Sequence, residues 1–452
     1  MFKYIFRNRY CSCIITRRWY NTAASSLETT PLRHSKRIKS KQERRDHFKE
    51  HSRKAIGETT PGPGVNGSQE PRRPKKKIAL YLGFNGSGYQ GMQWNPPATS
   101  IEQTLFEALC KAGAVSNLNS SDPKKVQMNR AARTDKGVHA AGNIVSLKMI
   151  VEDPHIVERI NSYLPEQIRI WGYSHVMGGF HAKNSCNARE YEYWLPTYAL
   201  MSPSSSKPMK RRREFPTDIR IASLDDNSNN DQNNTAYGYI EPNSPKEFAR
   251  KNEYRIDTER YEKLKQAMNK FLGTHNFHNY TIARAFKDPS ANRHMMQIQV
   301  HEPSYFQGTE WVNIKLRGQS FMLHQIRKMI SMAMLVTRSN SPLSIIDRSF
   351  EETKINIPKA PALGLLLDQP LFQHYNQRVE NRSDREPIHF DNFQDQMKEF
   401  KQEWIYSKIF ETDKTDQVFD NFILMVDSQV GPAFKYINEQ GIIPPESVIY
   451  LK

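Results

Sequence analysis

Between Ile78 and Leu367 strand and helix signals alternate, and they run through a similar set of elements twice, which restricts the chain to folds that lay helices on a sheet. Ile78–Phe84 reads as a buried strand, broken by Asn85, Gly86, Ser87 and Gly88. Ser100 then opens a helix, with Gln103 placed to complete a capping box and Ile101, Leu105, Leu109 and Ala112 at helical spacing. Ile144–Met149 alternates as a strand, Asp153 and Pro154 start a second helix, and Ile168–Val176 and Arg189–Leu195 are strands again. The second pass has a helix from Asp257 to Leu272, with Tyr261, Leu264, Met268 and Phe271 on one face and Gly273 as its stop. Strands around Ile298 and Ile314, a long helix from Phe321 to about Arg338, and a short strand at Leu363–Leu367 complete it. The expected class is α+β, with a largely antiparallel sheet and helices on one face.

Charge divides the chain differently. Residues 1–77 carry 20 Lys+Arg against 6 Asp+Glu, 78–377 carry 36 against 28 and 378–452 carry 9 against 14, so the net charge of +17 sits mainly on the leader. The first 27 residues hold Lys3, Arg7, Arg9, Arg17 and Arg18 among Phe2, Ile5, Phe6, Ile14 and Ile15, with no acid before Glu28. Residues 1–30 are therefore expected to be a mitochondrial presequence that sends the chain to the matrix, rather than a basic arm for RNA. Residues 31–77 read as a disordered basic linker; its Arg72–Lys77 run is either a nuclear import signal, which would make the nucleus the alternative location, or a solvated stretch touching phosphates. The halves occupy 78–200 and 254–377, separated by a Ser-, Asn- and Asp-rich insertion at 201–253 that is expected to be disordered. Residues 378–452 form an acidic extension with helical periodicity in Phe390, Phe393, Met397, Phe400 and Trp404. A mean hydropathy of −0.74 and the lack of a long apolar run exclude a membrane span. The four cysteines, Cys11, Cys13, Cys110 and Cys186, make no metal-ligand spacing, so no metal site is expected.

One short string carries candidate chemistry. From Arg130 to Ala140 a single carboxylate, Asp135, stands among Arg130, Arg133 and Lys136. Adjacent cations hold an Asp in its charged form, which suits a nucleophile better than a proton donor. Thr134, Asp135 and Gly137 are equally the residues of an ordinary tight turn. Two further patterns matter. On a helix starting at Phe321, the polar residues Ser320, His324, Arg327 and Ser331 would fall within about 60° of one another, at roughly 100° per residue. In a strand, Arg189, Tyr191 and Tyr193 share a face, a pattern that serves packing as readily as chemistry.

Arg-Thr-Asp-Lys-Gly-Val-His-Ala at 133–140 resembles the catalytic loop of the TruA family of tRNA pseudouridine synthases. The resemblance extends in family order through Tyr81–Gln93, Arg189–Tyr193, Gly273–Phe277, Gly318–Met329 and Ala360–Leu365, and it is strongest to the eukaryotic branch that modifies several tRNA positions. It implies two ferredoxin-like halves whose sheets join around a central RNA cleft, with tRNA as substrate and no metal, cofactor or nucleotide. It makes Asp135 the nucleophile, Arg327 the cation that pairs with it, and Tyr191 the tyrosine that stacks on the base or receives a proton. Arg133 would fill the space of the flipped uridine, and Arg130, Lys136, His139, Arg189 and His324 complete the expected RNA-binding set. The alternatives are an inactive RNA-binding or tRNA-folding protein, or a synthase acting mainly on messenger or small nuclear RNA.

Overall fold

The computed structural model describes residues 73–203, 210–211, 238–239, 243–428 and 434–449; the expected presequence, the linker up to Arg72 and most of the insertion lie outside them. The strands are β1 (Lys76–Phe84), β2 (Asn129–Arg130), β3 (His139–Met149), β4 (Ile168–His175), β5 (Ala188–Pro196), β6 (Lys210–Arg211), β7 (Gly238–Tyr239), β8 (Gly273–Asn276), β9 (Asn292–Val300), β10 (Ser304–Phe306), β11 (Thr309–Gly318) and β12 (Leu365–Leu371). Ten of them make one sheet in the order β4-β1-β3-β12-β5-β11-β9-β8, with β10 on β11 and β2 on β3; β6 and β7 pair separately. The pairings in this sheet are antiparallel except one. β12 runs parallel to β3, with Leu366 opposite His139 and Leu367 opposite Ala140.

That exception explains where a site can form. β12, the last strand of the second half, is inserted between β3 and β5 of the first, so the halves interleave instead of lying side by side. The starts of β3 and β12 meet, and Leu367 also faces Tyr191 across β5. The α+β class and the largely antiparallel sheet agree with the sequence reading.

Local signals hold at most element ends. Ser100 caps the helix Ile101–Lys111 by accepting the Gln103 N–H, but Gln103 spends its own amide on Glu107, so only half of the expected capping box forms. Asp257 caps Thr258–Asn269, whose Tyr261, Leu264, Ala267 and Met268 are buried. The long helix is the main correction. It covers Gln325–Arg338 and does not begin at Phe321, because His324 adopts φ 63 and the preceding residues form a turn. Ser320 and His324 therefore lie outside the helix, and Ser331 is fully buried, so the expected polar stripe is not one continuous face.

The sheet is covered on both sides. Tyr191 and Tyr193 look toward the long-helix side, where Tyr191 meets Phe321 and the Tyr193 hydroxyl donates to Pro361 O at 2.8 Å. The alternate residues meet the C-terminal extension, which is a correction to helices on one face only. Trp194 packs edge-on against Tyr406 and Phe410, and Tyr81 against Phe390. The approach is close enough to require glycine. A Cβ on Gly142 would lie 2.8 Å from the Phe390 ring, and one on Gly172 would lie 2.7 Å from Phe393. Behind Tyr191, buried Glu192 accepts from Tyr406 Oη at 2.6 Å and Lys401 Nζ at 3.1 Å, and Lys401 also reaches Asp368 at 2.9 Å. The extension is thus fixed to β5 and β12 by polar bonds as well as by rings. Among the described residues no helix is long and apolar enough to cross a membrane.

Candidate active site

The loop from Ala131 to Val138 connects β2 to β3 and is built by backbone surrogates. Asn143 on β3 accepts the Ala132 N–H at 3.3 Å and donates to Ala132 O at 3.1 Å, continuing the sheet with a side chain. Met92 N–H donates to Thr134 O at 3.2 Å, and Gly91 permits this approach, since a Cβ there would stand 2.6 Å from that oxygen. Gly137 supplies the positive φ of 74° that closes the turn, with Val138 N–H on Asp135 O at 3.1 Å. Asp135 is therefore a turn residue, and its side chain is left to face the cleft.

The Asp135 carboxylate meets the other half there. Its Oδ2 lies 2.9 Å from His324 Nδ1 and 3.9 Å from Arg327 Nη1. Burial on its own would push this carboxyl up, but the His324 hydrogen bond and charge, then Arg327 and Lys359, outweigh it and hold the acid below its ordinary value. The family resemblance implies Arg327 as the pairing cation; the structure puts His324 nearer. Arg327 is oriented by Nε donating to Ala360 O at 2.6 Å. Tyr191 is almost fully buried, its ring edge-on to Phe321 at 5.0 Å, and burial pushes its hydroxyl up to about 12, so it stays protonated at neutral pH.

Asp135, Tyr191, Arg327, His324, Arg130, Arg133 and Arg189 all line one cleft of about 730 Å³. Asp135 is the one acid among its described lining residues, against six cations: Arg130, Arg133, Lys183, Arg189, Arg293 and Arg327. Several of these charges have work inside the protein. Arg130 pairs with the buried Glu102, and Arg189 donates to Ala131 O at 2.9 Å and Gln319 O at 3.2 Å, tying the Asp135 loop to the turn before the long helix. Arg133 and Lys136 are exposed, although Lys136 does not line the cleft. Lys183, Arg293 and Phe321 were not singled out from sequence. Phe321 lies inside the Gly318–Met329 segment, whereas Arg293 lies in β9 with no local pattern to mark it.

His139 is the clear correction. It is wholly buried and its Nδ1 accepts the Gly86 N–H at 3.2 Å, so it cannot touch RNA. Burial lowers its pKa from 6.5 to about 4. The unfolded chain therefore binds more protons than the folded one between those values, and stability falls as pH drops from about 6.5 to 4. His139→Gln, which keeps a carbonyl acceptor, is expected to flatten that stretch of a denaturant midpoint against pH curve, even if the variant is less stable at pH 8. An unchanged slope would show that other groups set the acid sensitivity.

The chain is also similar to known proteins. A family profile described as tRNA pseudouridine synthase matches residues 267–373. The tRNA pseudouridine synthase 1 of Yarrowia lipolytica is 43% identical over 85% of this chain and 80% of its own length. That of Saccharomyces cerevisiae is 40% identical over 80% and 73%, and the mouse pseudouridylate synthase 1 homolog is 35% identical over 78% and 74%.

Proposed function

Because the chain belongs to the family of tRNA pseudouridine synthases, and so isomerises uridine to pseudouridine in tRNA, we propose that Asp135 is the carboxylate that carries the reaction, with His324 and Arg327 positioning it and Tyr191 packing on the base. The isomerisation breaks the bond from C1′ to N1 of uracil and forms one from C1′ to C5. The proton lost at C5 is balanced by one gained at N1, so substrate and product have the same atoms and oxidation state. The observation that carries the assignment is a single acid, held ionised, in a cleft whose other charged side chains, among the described lining residues, are cations. An ionised carboxylate can add to carbon or take a proton, and both roles need it unprotonated. The cations suit an RNA backbone, whose phosphates dominate affinity. Tyr191 has no charge with which to receive a proton, which favours stacking over base catalysis.

The reaction also requires the base to leave its stack, at a cost of a few kcal/mol. Arg133, exposed and lining the cleft, would occupy the vacated space. A protein that only bound tRNA would gain nothing from an anion facing the phosphates, which argues against the inactive alternative.

We further propose that residues 1–30 direct the chain to the mitochondrial matrix, on the strength of their acid-free, Arg-rich pattern. One experiment covers substrate and location. Pseudouridines are mapped in mitochondrial and cytosolic tRNA from cells with the full chain, without it, and with residues 1–30 removed. Sites that vanish without the chain are its targets, and truncation is expected to abolish the mitochondrial ones alone. Mitochondrial sites that survive truncation would overturn the presequence reading; unchanged tRNA in cells lacking the chain would overturn the substrate.

A further inference from the structure

One large apolar side chain in the cleft faces solvent. Leu323 is 49% exposed and is the only exposed large apolar residue among the described residues that line the cleft. An exposed leucine needs no explanation by itself; the backbone that carries it is what sets this one apart. Thr281 Oγ1 donates to Leu323 O at 3.0 Å. Met322 N–H donates to Gln325 Oε1 at 2.9 Å, while Gln325 N–H donates to Met322 O at 3.1 Å. The next residue, His324, takes φ 63 and sets its ring 2.9 Å from Asp135 Oδ2. A left-handed backbone at a residue other than glycine costs of order 1 kcal/mol or more, and persists where surrounding bonds impose it. The turn thus fixes Leu323 relative to the reacting carboxylate and leaves its side chain pointing into open space.

We propose that Leu323 is a wedge for base extrusion: when the target uridine leaves the helix to reach Asp135, the Leu323 side chain packs against the base beside the gap and keeps the stack open. The proposal rests on Asp135 being the reacting group. Flipping strips a base face of its stacking partner, and a leucine can cover that apolar surface where a solvated cation covers it poorly. Apolar side chains inserted at base steps act in this way in proteins that unstack nucleic acid. Arg133 comes to the same cleft from the nucleophile loop, so the loop of one half and the turn of the other would share the work.

The test compares Leu323→Ala and Leu323→Met with the wild-type enzyme under single turnover. Each is given two forms of one tRNA, with the target uridine either paired in a stem or opposite a nucleotide that cannot pair with it. Leu323→Ala is expected to slow the paired substrate roughly tenfold, the effect of about 1.4 kcal/mol on the barrier. The unpaired substrate, whose extrusion is already cheap, should react within about twofold of wild type. Leu323→Met should restore the paired rate, since methionine also fills a base step. Equal slowing on both substrates, or no slowing on either, would overturn the wedge. Wild-type turnover and its loss in Asp135→Asn test the carboxylate separately, so the two assignments can fail independently.

Discussion

Asp135→Asn is expected to eliminate pseudouridine formation, with a loss of about 10⁴-fold or more, the scale on which removing a reacting group acts. The substitution is nearly isosteric. Asparagine suits the Asp135–Val138 turn as well as aspartate does, and its side-chain oxygen can still meet His324 Nδ1. What disappears is the negative charge that either mechanism requires. tRNA affinity should stay within a few-fold of wild type or tighten slightly, because phosphate contacts dominate it and the one acid among the described residues lining the cleft has gone. Release of tritium from tRNA labelled at uridine C5 measures turnover, and filter binding measures affinity. A purified variant that still turns over would remove Asp135 from the mechanism.

Much of this site was legible because its parts are local. Thr134, Asp135 and Gly137 announce a turn, and Arg189 and Tyr191 follow strand alternation onto one face. What sequence could not supply was the effect of distant elements on individual side chains. His139 reads as a surface cation beside the loop, yet β12 lies alongside its strand and buries it. Arg189 reads as a phosphate contact, yet two of its donors go to carbonyls from opposite halves. The break at His324 escaped the helical pattern because the apolar spacing of Leu323, Ile326 and Ile330 continues through it. That spacing reports burial on average, whereas the break depends on bonds from Thr281 and Asp135, 42 and 189 residues away in sequence. The periodicity of Phe390, Phe393 and Phe400 announces a helical extension but not the face of the sheet it covers: Gly142 and Gly172 mark that face only once Phe390 and Phe393 are known to be there.

Arg327→Met should lower turnover by about 10² to 10³-fold, the scale associated with a misplaced or unsupported reacting group. Two effects contribute. Arg327 is one of the charges that hold Asp135 ionised, and its Nε bond to Ala360 O fixes the segment just before β12. Loss of that hydrogen bond is expected to reduce stability by about 2 kcal/mol, a sizeable share of the total but not enough by itself to unfold the chain. The pH profile separates the two. In the proposed reaction Asp135 acts as the anion, and its pKa is held low by His324 and Arg327 together. Removing one cation raises it, so the acid limb of the rate profile should move to higher pH in Arg327→Met, while Arg327→Lys, which keeps the charge, should leave the limb near its wild-type position. A purely structural Arg327 would behave otherwise: both variants would lose folded protein, the folded fraction would react at the wild-type rate, and the acid limb would stay in place. The position of that limb, more than the size of the rate loss, decides whether Arg327 serves the carboxylate or only the fold around it.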